Sequence, residues 1–199
     1  MITEAEGLEP VVLAGHGVRL EPLDVGRHGG GLRAAARDPR IWAYFAIDAS
    51  GAGFESWLAA MEDGRDNAGE LPFIVIGAES GEILGSTRYF HVALEHRRLE
   101  IGHTWYLPRL WGGRVNPACK LLLMTHAFEA LAMNRVEFRT DGRNRRSQAA
   151  LRRLGAIEEG VLRRHMIVQH GHVRDTVQFA VTDQDWPAVK NGLEARLGE

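Results

Sequence analysis

Three groups of residues in this chain have types and spacings that do chemistry. The first runs from Tyr106, Leu107 and Pro108 through Trp111, Gly112, Gly113, Arg114 and Val115 to Asn116 and Pro117. It reads as a strand end, a glycine loop and a helix start, with Asn116 as N-cap and Pro117 as the first helical residue. Such a junction binds anions, because free backbone N–H groups and the positive end of the helix dipole converge there. Paired glycines also let a ligand approach the main chain. The second group is Asn144 and Ser147, set between a short strand at 135–140 and a short helix at 147–154 closed by Gly155. Side chains of these types serve there either as caps or as hydrogen-bonding contacts to a ligand. The third is Glu100, on a strand at 97–107 where Leu99, Ile101, His103 and Trp105 alternate with Glu100, Gly102, Thr104 and Tyr106. A carboxylate there is a candidate general base, or the polar face of an amphipathic strand. Cys119 lies in the first turn of the helix from Pro117, where a thiolate is favoured. The plainer reading of Cys119 is a small buried hydrophobe.

These residues need elements to hold them. A first strand at 18–23 ends at Asp24, which caps a helix over 25–36. Gly29, Gly30 and Gly31 each cost that helix about 1 kcal/mol relative to alanine, so it is expected to be weak or broken. A helical pattern resumes at 54–61, and a hairpin follows at 71–78 and 83–92 across the turn pair Ser80 and Gly81. With 97–107 this makes three antiparallel strands in succession. The helix from Pro117 puts Leu121, Met124, Phe128 and Leu131 on one face and stops before Asn134. A long hairpin at 157–168 and 173–181 and a helix at 186–197 complete the chain, with residues 1–14 expected as a loose tail on a single domain over 1–199.

The bulk composition bounds the function. A chain of 199 residues, 45% hydrophobic, fills one core, and a formal charge of -2 demands no polyanionic partner. One cysteine excludes a disulfide framework and suits a reducing compartment, the cytoplasm. No apolar stretch resembles a signal peptide or a membrane span.

The pieces together resemble the GCN5-related N-acetyltransferase superfamily, and within it the branch that acetylates ribosomal-protein N-termini. The resemblance rests on Leu99-Glu100-Ile101-Gly102, Trp111-Gly112-Gly113, Asn144-x-x-Ser147 and Leu154-Gly155-Ala156, in family order, and covers roughly 18–186. It implies an α/β (α+β) fold. The central sheet would be mixed, mostly antiparallel, of about seven strands, splayed open at the cofactor site and flanked by helices. Acetyl-CoA would lie in the opening as co-substrate. Main-chain groups of Trp105, Tyr106 and Leu107 would pair with its pantetheine arm as an added strand does. Trp111, Gly112, Gly113, Arg114, Val115 and Asn116 would hold its pyrophosphate, and Asn144 and Ser147 its arm. The chain departs from the family at two places. Arg114 occupies the last small position of the pyrophosphate loop, where it would supply a charged contact or face solvent. Leu151 stands where many members carry the tyrosine that acts as acid, seven residues after the asparagine, which makes Ser147 the stand-in.

The implied reaction is acetyl transfer to a primary amine, of a protein N-terminus or a small molecule, by direct attack. Glu100 is the expected base, through a water, and Ser147 the expected acid. The acceptor side would be lined by Trp42, Tyr44 and His103, aromatic residues at 42–45 being alternatively part of the core. Arg163, Arg164, His165, Arg174 and Asp175 of the last hairpin would add charge to that side or form a homodimer contact. A competing reading is an acetyl-CoA-binding sensor without catalysis. The basic cluster Arg143, Arg145, Arg146, Arg152 and Arg153 suits an RNA-binding module, but the phosphates of CoA account for it, so nucleic acid is not expected. His91, His96, His103 and His126 show no compact ligand spacing, and no metal is expected.

Overall fold

The sheet begins earlier than the alternating pattern predicts. In the computed structural model, which describes residues 8–198, β1 (Leu13–Gly15) pairs antiparallel with β2 (Val18–Pro22) through Leu13 and Leu20. Of the stretch expected as a loose tail, residues 1–7 lie outside the described residues, while Leu8, Val11 and Leu13 pack on the core. Asp24 then caps α1 (Val25–Ala35), its side chain accepting the Arg27 N–H at 3.1 Å. The helix is continuous through its three glycines. Gly31 explains why: a Cβ there would meet Ile83 Cδ1 at 2.7 Å, so the missing side chain lets the helix close on the sheet and bury Leu32 completely. Burial of that face offsets the weak propensity. The second helix, α2 (Phe54–Asn67), also outruns its predicted end at 61, because Met61 and Gly64 are still buried.

The strands β3 (Leu71–Gly77), β4 (Ile83–Ala93) and β5 (Arg98–Tyr106) form the expected antiparallel succession. All seven residues of β3 are buried, as befits a strand covered on both faces. Phe73 and Val75 enter one core and Ile74 and Ile76 the other. Next come α3 (Val115–Thr125), prolonged by a π-helical turn at His126–Ala130, and β6 (Arg135–Asp141). The chain ends with α4 (Arg145–Leu154), β7 (Ile157–Ile167), β8 (Val173–Thr182) and α5 (Trp186–Leu197). The sheet has eight strands in the order β1-β2-β3-β4-β5-β6-β8-β7, all neighbours antiparallel except β5 and β6. The larger core joins the sheet to α3, α4 and α5, and the smaller one joins the opposite face to α1, α2 and the Pro39–Trp42 turn. No helix among the described residues is long and apolar enough to cross a membrane.

The parallel pair is the feature that positions the site. Strands β5 and β6 are in register only at Arg98 with Arg135, Leu99 with Val136 and Glu100 with Glu137. Beyond Glu100 both strands continue, to Tyr106 and Asp141, without pairing to each other. The sheet therefore opens into a V.

Candidate active site

One arm of the V is β5, and its geometry departs from simple alternation. Three steps on β5, from Gly102 to Trp105, span two steps on β4, from Arg88 to Ser86, which places an extra residue in β5. His103 takes it up with φ at 49°. This bulge swaps the faces that follow it. Trp105 packs in the smaller core against Trp42 at 5.5 Å and Trp57 at 6.0 Å, while Tyr106 turns into the larger core. The predicted alternation thus holds only as far as Gly102. A second bulge lies on β4 between Phe90 and Ala93, with His91 at φ 48°. It brings the His91 ring over the neighbouring strand.

Glu100 lies between these two bulges and is buried, at 2% exposure, which removes the reading of a surface residue. Its Oε2 is 3.1 Å from His91 Nδ1 and 3.3 Å from Arg139 Nε of β6. Both partners line an open depression of about 420 Å³ together with Val92, Ala93 and Arg98. The carboxylate thus sits at the point where the strands part, held from both arms. His103 is exposed, yet protein atoms crowd its ring. That burial of the ring, with Arg88, His91 and Arg174 adding positive charge, pushes its pKa down to about 3. The imidazole is thereby held neutral.

The other predicted acceptor residues divide. Trp42 is 1% exposed, donates its indole N–H to Ala36 O at 2.7 Å and stacks edge-on against Trp57. It supports Trp105 from within the core and does not line the opening, because a ring of that size is the filler between α1, α2 and the sheet. Tyr44 is half-buried at the mouth, with the Arg143 guanidinium 5.7 Å from its ring.

The glycine loop leads into α3 two residues earlier than the sequence suggests. Val115 is the first helical residue, Arg114 is the N-cap with no side-chain cap hydrogen bond, and Asn116 and Pro117 lie inside the first turn. Asn116 is therefore no cap. Gly112 adopts φ 78°, a left-handed conformation that suits glycine, and Gly113 N–H bonds back to Leu110 O. The Arg114 guanidinium donates to the Leu197 carbonyl at the end of α5, which directs it toward that helix. A different arginine attends the loop. Arg146, in the first turn of α4, stacks 3.4 Å over the Trp111 ring, whose indole N–H donates to Tyr106 O at 3.0 Å. The two arms of the V are thereby bridged at their open end.

Across the V, Asn144 is the N-cap of α4, its Oδ1 accepting the Ser147 N–H at 3.0 Å. The cap uses only the carbonyl oxygen, leaving the amide N–H₂ as donor. Ser147 is half-buried beside it. Leu151 packs into the larger core. Cys119 is fully buried, and burial pushes its thiol up to about 12, so it is no nucleophile. Two members of the basic cluster are paired locally, Arg143 with Asp141 at 2.7 Å and Arg152 with Glu158 at 2.5 Å. Among the described residues no group of three or more metal-ligating side chains converges.

Sequence reading missed four participants. Arg139 and His91 hold Glu100 through strand pairings and bulges that no local pattern reveals. Gln169, at the tip of the β7–β8 hairpin, donates to Trp42 O at 2.9 Å and Phe45 O at 2.8 Å, tying that hairpin across to the segment after α1. Lys120 points inward from α3, 6% exposed, with its Nζ 4.9 Å from the Phe138 ring centroid. Its signal was present: a lysine four residues before Met124, on the apolar side of the helix.

Residues 18–157 match a family model described as an acetyltransferase (GNAT) domain. The Bacillus subtilis (strain 168) protein named "Putative ribosomal N-acetyltransferase YdaF" is 30% identical over 152 residues, 75% of this chain and 80% of that protein. A GCN5-related N-acetyltransferase from Brucella melitensis superposes with a TM-score of 0.87 at 30% identity, over 96% of this chain and 87% of that one. Mycobacterium smegmatis RimJ, solved in complex with CoA-disulfide, shares the fold at 24% identity and a TM-score of 0.73, over 96% and 94% of the two chains.

Proposed function

Because the chain belongs to the GNAT acetyltransferase family of acyltransferases, we propose that it transfers the acetyl group of acetyl-CoA to a primary amine by direct attack. The observation that carries this reading is the parting of β5 and β6 after Glu100. It leaves the main-chain N–H and C=O groups of β5 that face β6 without a strand partner, and an extended amide-bearing arm satisfies such groups. Bound acetyl-CoA would supply an activated thioester carbonyl.

The residues that would hold it are those lining the V. Main-chain groups of Trp105, Tyr106 and Leu107 that face the opening take the pantetheine amides, the Leu107 N–H being engaged at Leu84 O on β4, and the donor amide of Asn144 reaches the same arm. The uncapped first turn of α3 and the Trp111–Gly112–Gly113 loop, with Val115 and Asn116, offer amides to phosphate, supported by the Arg146 charge. Arg114 contributes its backbone there, since its guanidinium is engaged at Leu197.

The chain's own groups then act on the acceptor. A lysine with a pKa near 10.4 needs about 4.6 kcal/mol to become neutral at pH 7, at about 1.36 kcal/mol per unit, whereas an α-amine near 8 needs about 1 kcal/mol. An α-amine or a weakly basic small amine suits a site with one modest base. Glu100, through a water, takes the proton as the amine adds, while Arg139 and His91 keep the carboxylate in place. Backbone N–H groups beside the His103 bulge polarise the carbonyl. Ser147 serves as a hydrogen-bond donor toward the sulfur. Tyr44 and His103 face the acceptor, and the name carried by YdaF favours an acceptor amine on the ribosome.

The long exposed edge of β7, with Val161, Leu162 and Ile167 open to solvent, supports a homodimer, and the single cysteine supports a cytoplasmic setting. A non-catalytic acetyl-CoA sensor is the second reading, favoured by Leu151 in the core at the position of the family tyrosine. Thiol release from acetyl-CoA across a panel of peptide N-termini, free lysine, polyamines and aminoglycosides separates the two. Turnover with at least one amine is expected. Tight binding without transfer to any of them would establish the sensor.

A further inference from the structure

Breaking a thioester leaves an electron pair on sulfur, and this chain has to neutralise it without the family tyrosine. A hydroxyl such as that of Ser147 hydrogen-bonds to a thiolate but is too weak an acid to surrender its proton to one. Lys120 offers what is missing, on the acetyl-CoA reading given above. Its ammonium lies 4.9 Å from the ring centroid of Phe138, the first β6 residue beyond the stretch paired with β5, and it feels the charge of Glu100, the last paired residue of β5. It therefore occupies the crotch of the V on the α3 side. Among the described residues no carboxylate forms an ion pair with it. A buried ammonium whose close partner is a ring face is expensive to retain.

We infer that Lys120 is the acid and counter-ion for the leaving thiolate of coenzyme A. As the amine nitrogen bonds to the thioester carbon, the carbon–sulfur bond breaks and its electron pair goes to sulfur. The Lys120 ammonium gives one proton to that sulfur, forming the thiol and a neutral lysine. The proton shed by the attacking amine passes toward Glu100 and solvent, and solvent returns one to Lys120. Amine and thioester thus become amide and thiol with no net proton change.

The surroundings suit this role. Cys119 on the same helix and Tyr106 on β5 are held neutral by burial, which pushes the thiol up to about 12 and the phenol well above its ordinary range. Cys119 on the same helix and Glu100 on β5 both favour the lysine charge, and β6 presents the Phe138 ring to it. Burial pushes Lys120 itself down to about 8. That value lies close to an ordinary thiol near 8.5, where proton transfer between the two is nearly balanced.

The test is an ultraviolet titration of the thiolate of coenzyme A, free, bound to the wild type and bound to Lys120→Met. Calorimetry with coenzyme A and desulfo-coenzyme A and kcat against pH accompany it. The thiol bound to the wild type should titrate at least about one unit lower than free coenzyme A, and the variant should abolish that shift. Lys120→Met should bind desulfo-coenzyme A within about twofold of the wild type. The wild-type rate should fall above pH 8, and the variant should lose that fall together with about 10²-fold in kcat. An unshifted thiol on the wild type overturns the inference without reference to any variant. Equal loss of affinity for both ligands in Lys120→Met also overturns it, because the lysine would then hold the arm and not the sulfur. Failure of the wild type to bind coenzyme A at all is a different result, which removes the acetyl-CoA reading itself.

Discussion

Glu100 and Lys120 approach the parting of two strands from opposite sides of the sheet, one as a carboxylate and one as an ammonium. Glu100→Gln should keep the fold, since an amide still reaches His91 and Arg139, and should lower kcat by about 10- to 10²-fold at saturating acetyl-CoA. Unchanged turnover would remove Glu100 from proton transfer. Lys120 makes a prediction about stability as well. Its pKa falls from 10.5 to about 8 on folding, so the unfolded chain binds more protons between those values. Stability should therefore rise as pH increases through that window, and the penalty is complete below it. Lys120→Met should remove this slope and raise stability at pH 7 by about 3 kcal/mol, at about 1.36 kcal/mol per unit, in chemical denaturation at pH 7 and pH 10. A variant less stable at both would show the lysine to be structural. The residue types of the proposed site were legible in sequence, Glu100, Asn144 and Ser147 among them. Their partners were not. His91 and Arg139 reach Glu100 only because β4 is bulged and β6 lies parallel to β5 at its start, relations between residues far apart in the chain.

Caps, turns and apolar periodicity marked the elements well, because those signals act over a few residues. Asp24 stops a strand and caps a helix where its neighbours said it would, and Gly155 closes α4 in the left-handed conformation. The errors came where tertiary contact overrides local preference. The glycine run of α1 is helical because Gly31 lets the helix meet Ile83, and the alternation of β5 breaks at His103, where the ladder to β4 takes an extra residue. The α1 account is testable by a pair of substitutions. Gly30→Ala places its Cβ in open space and should stabilise the protein by about 0.5–1 kcal/mol, read as a rise of roughly 2–4 °C per kcal/mol in Tm. Gly31→Ala should be neutral or destabilising, because its Cβ would stand 2.7 Å from Ile83 Cδ1. Equal gains from both would mean that α1 does not rest on the sheet there.

At the scale of the molecule, eight strands make one sheet with a defect in the middle, and the defect is where the function is placed. The hairpin of β7 and β8 leaves an edge whose apolar residues are open and whose tip is tied by Gln169 to the segment after α1. Sedimentation should show a dimer that Val161→Glu disrupts while the Tm of the remaining monomer stays within a few degrees. A monomeric wild type would leave that edge without the partner proposed for it. The central claim is that acetyl-CoA completes the sheet between β5 and β6. Amide hydrogen exchange with and without acetyl-CoA measures this most directly. Protection should rise along the unpaired part of β5, in the Gly112–Asn116 turn and at the start of α4, with β1, β2 and β3 unchanged. Binding that protects none of those amides, or protects the outer strands instead, would contradict the account.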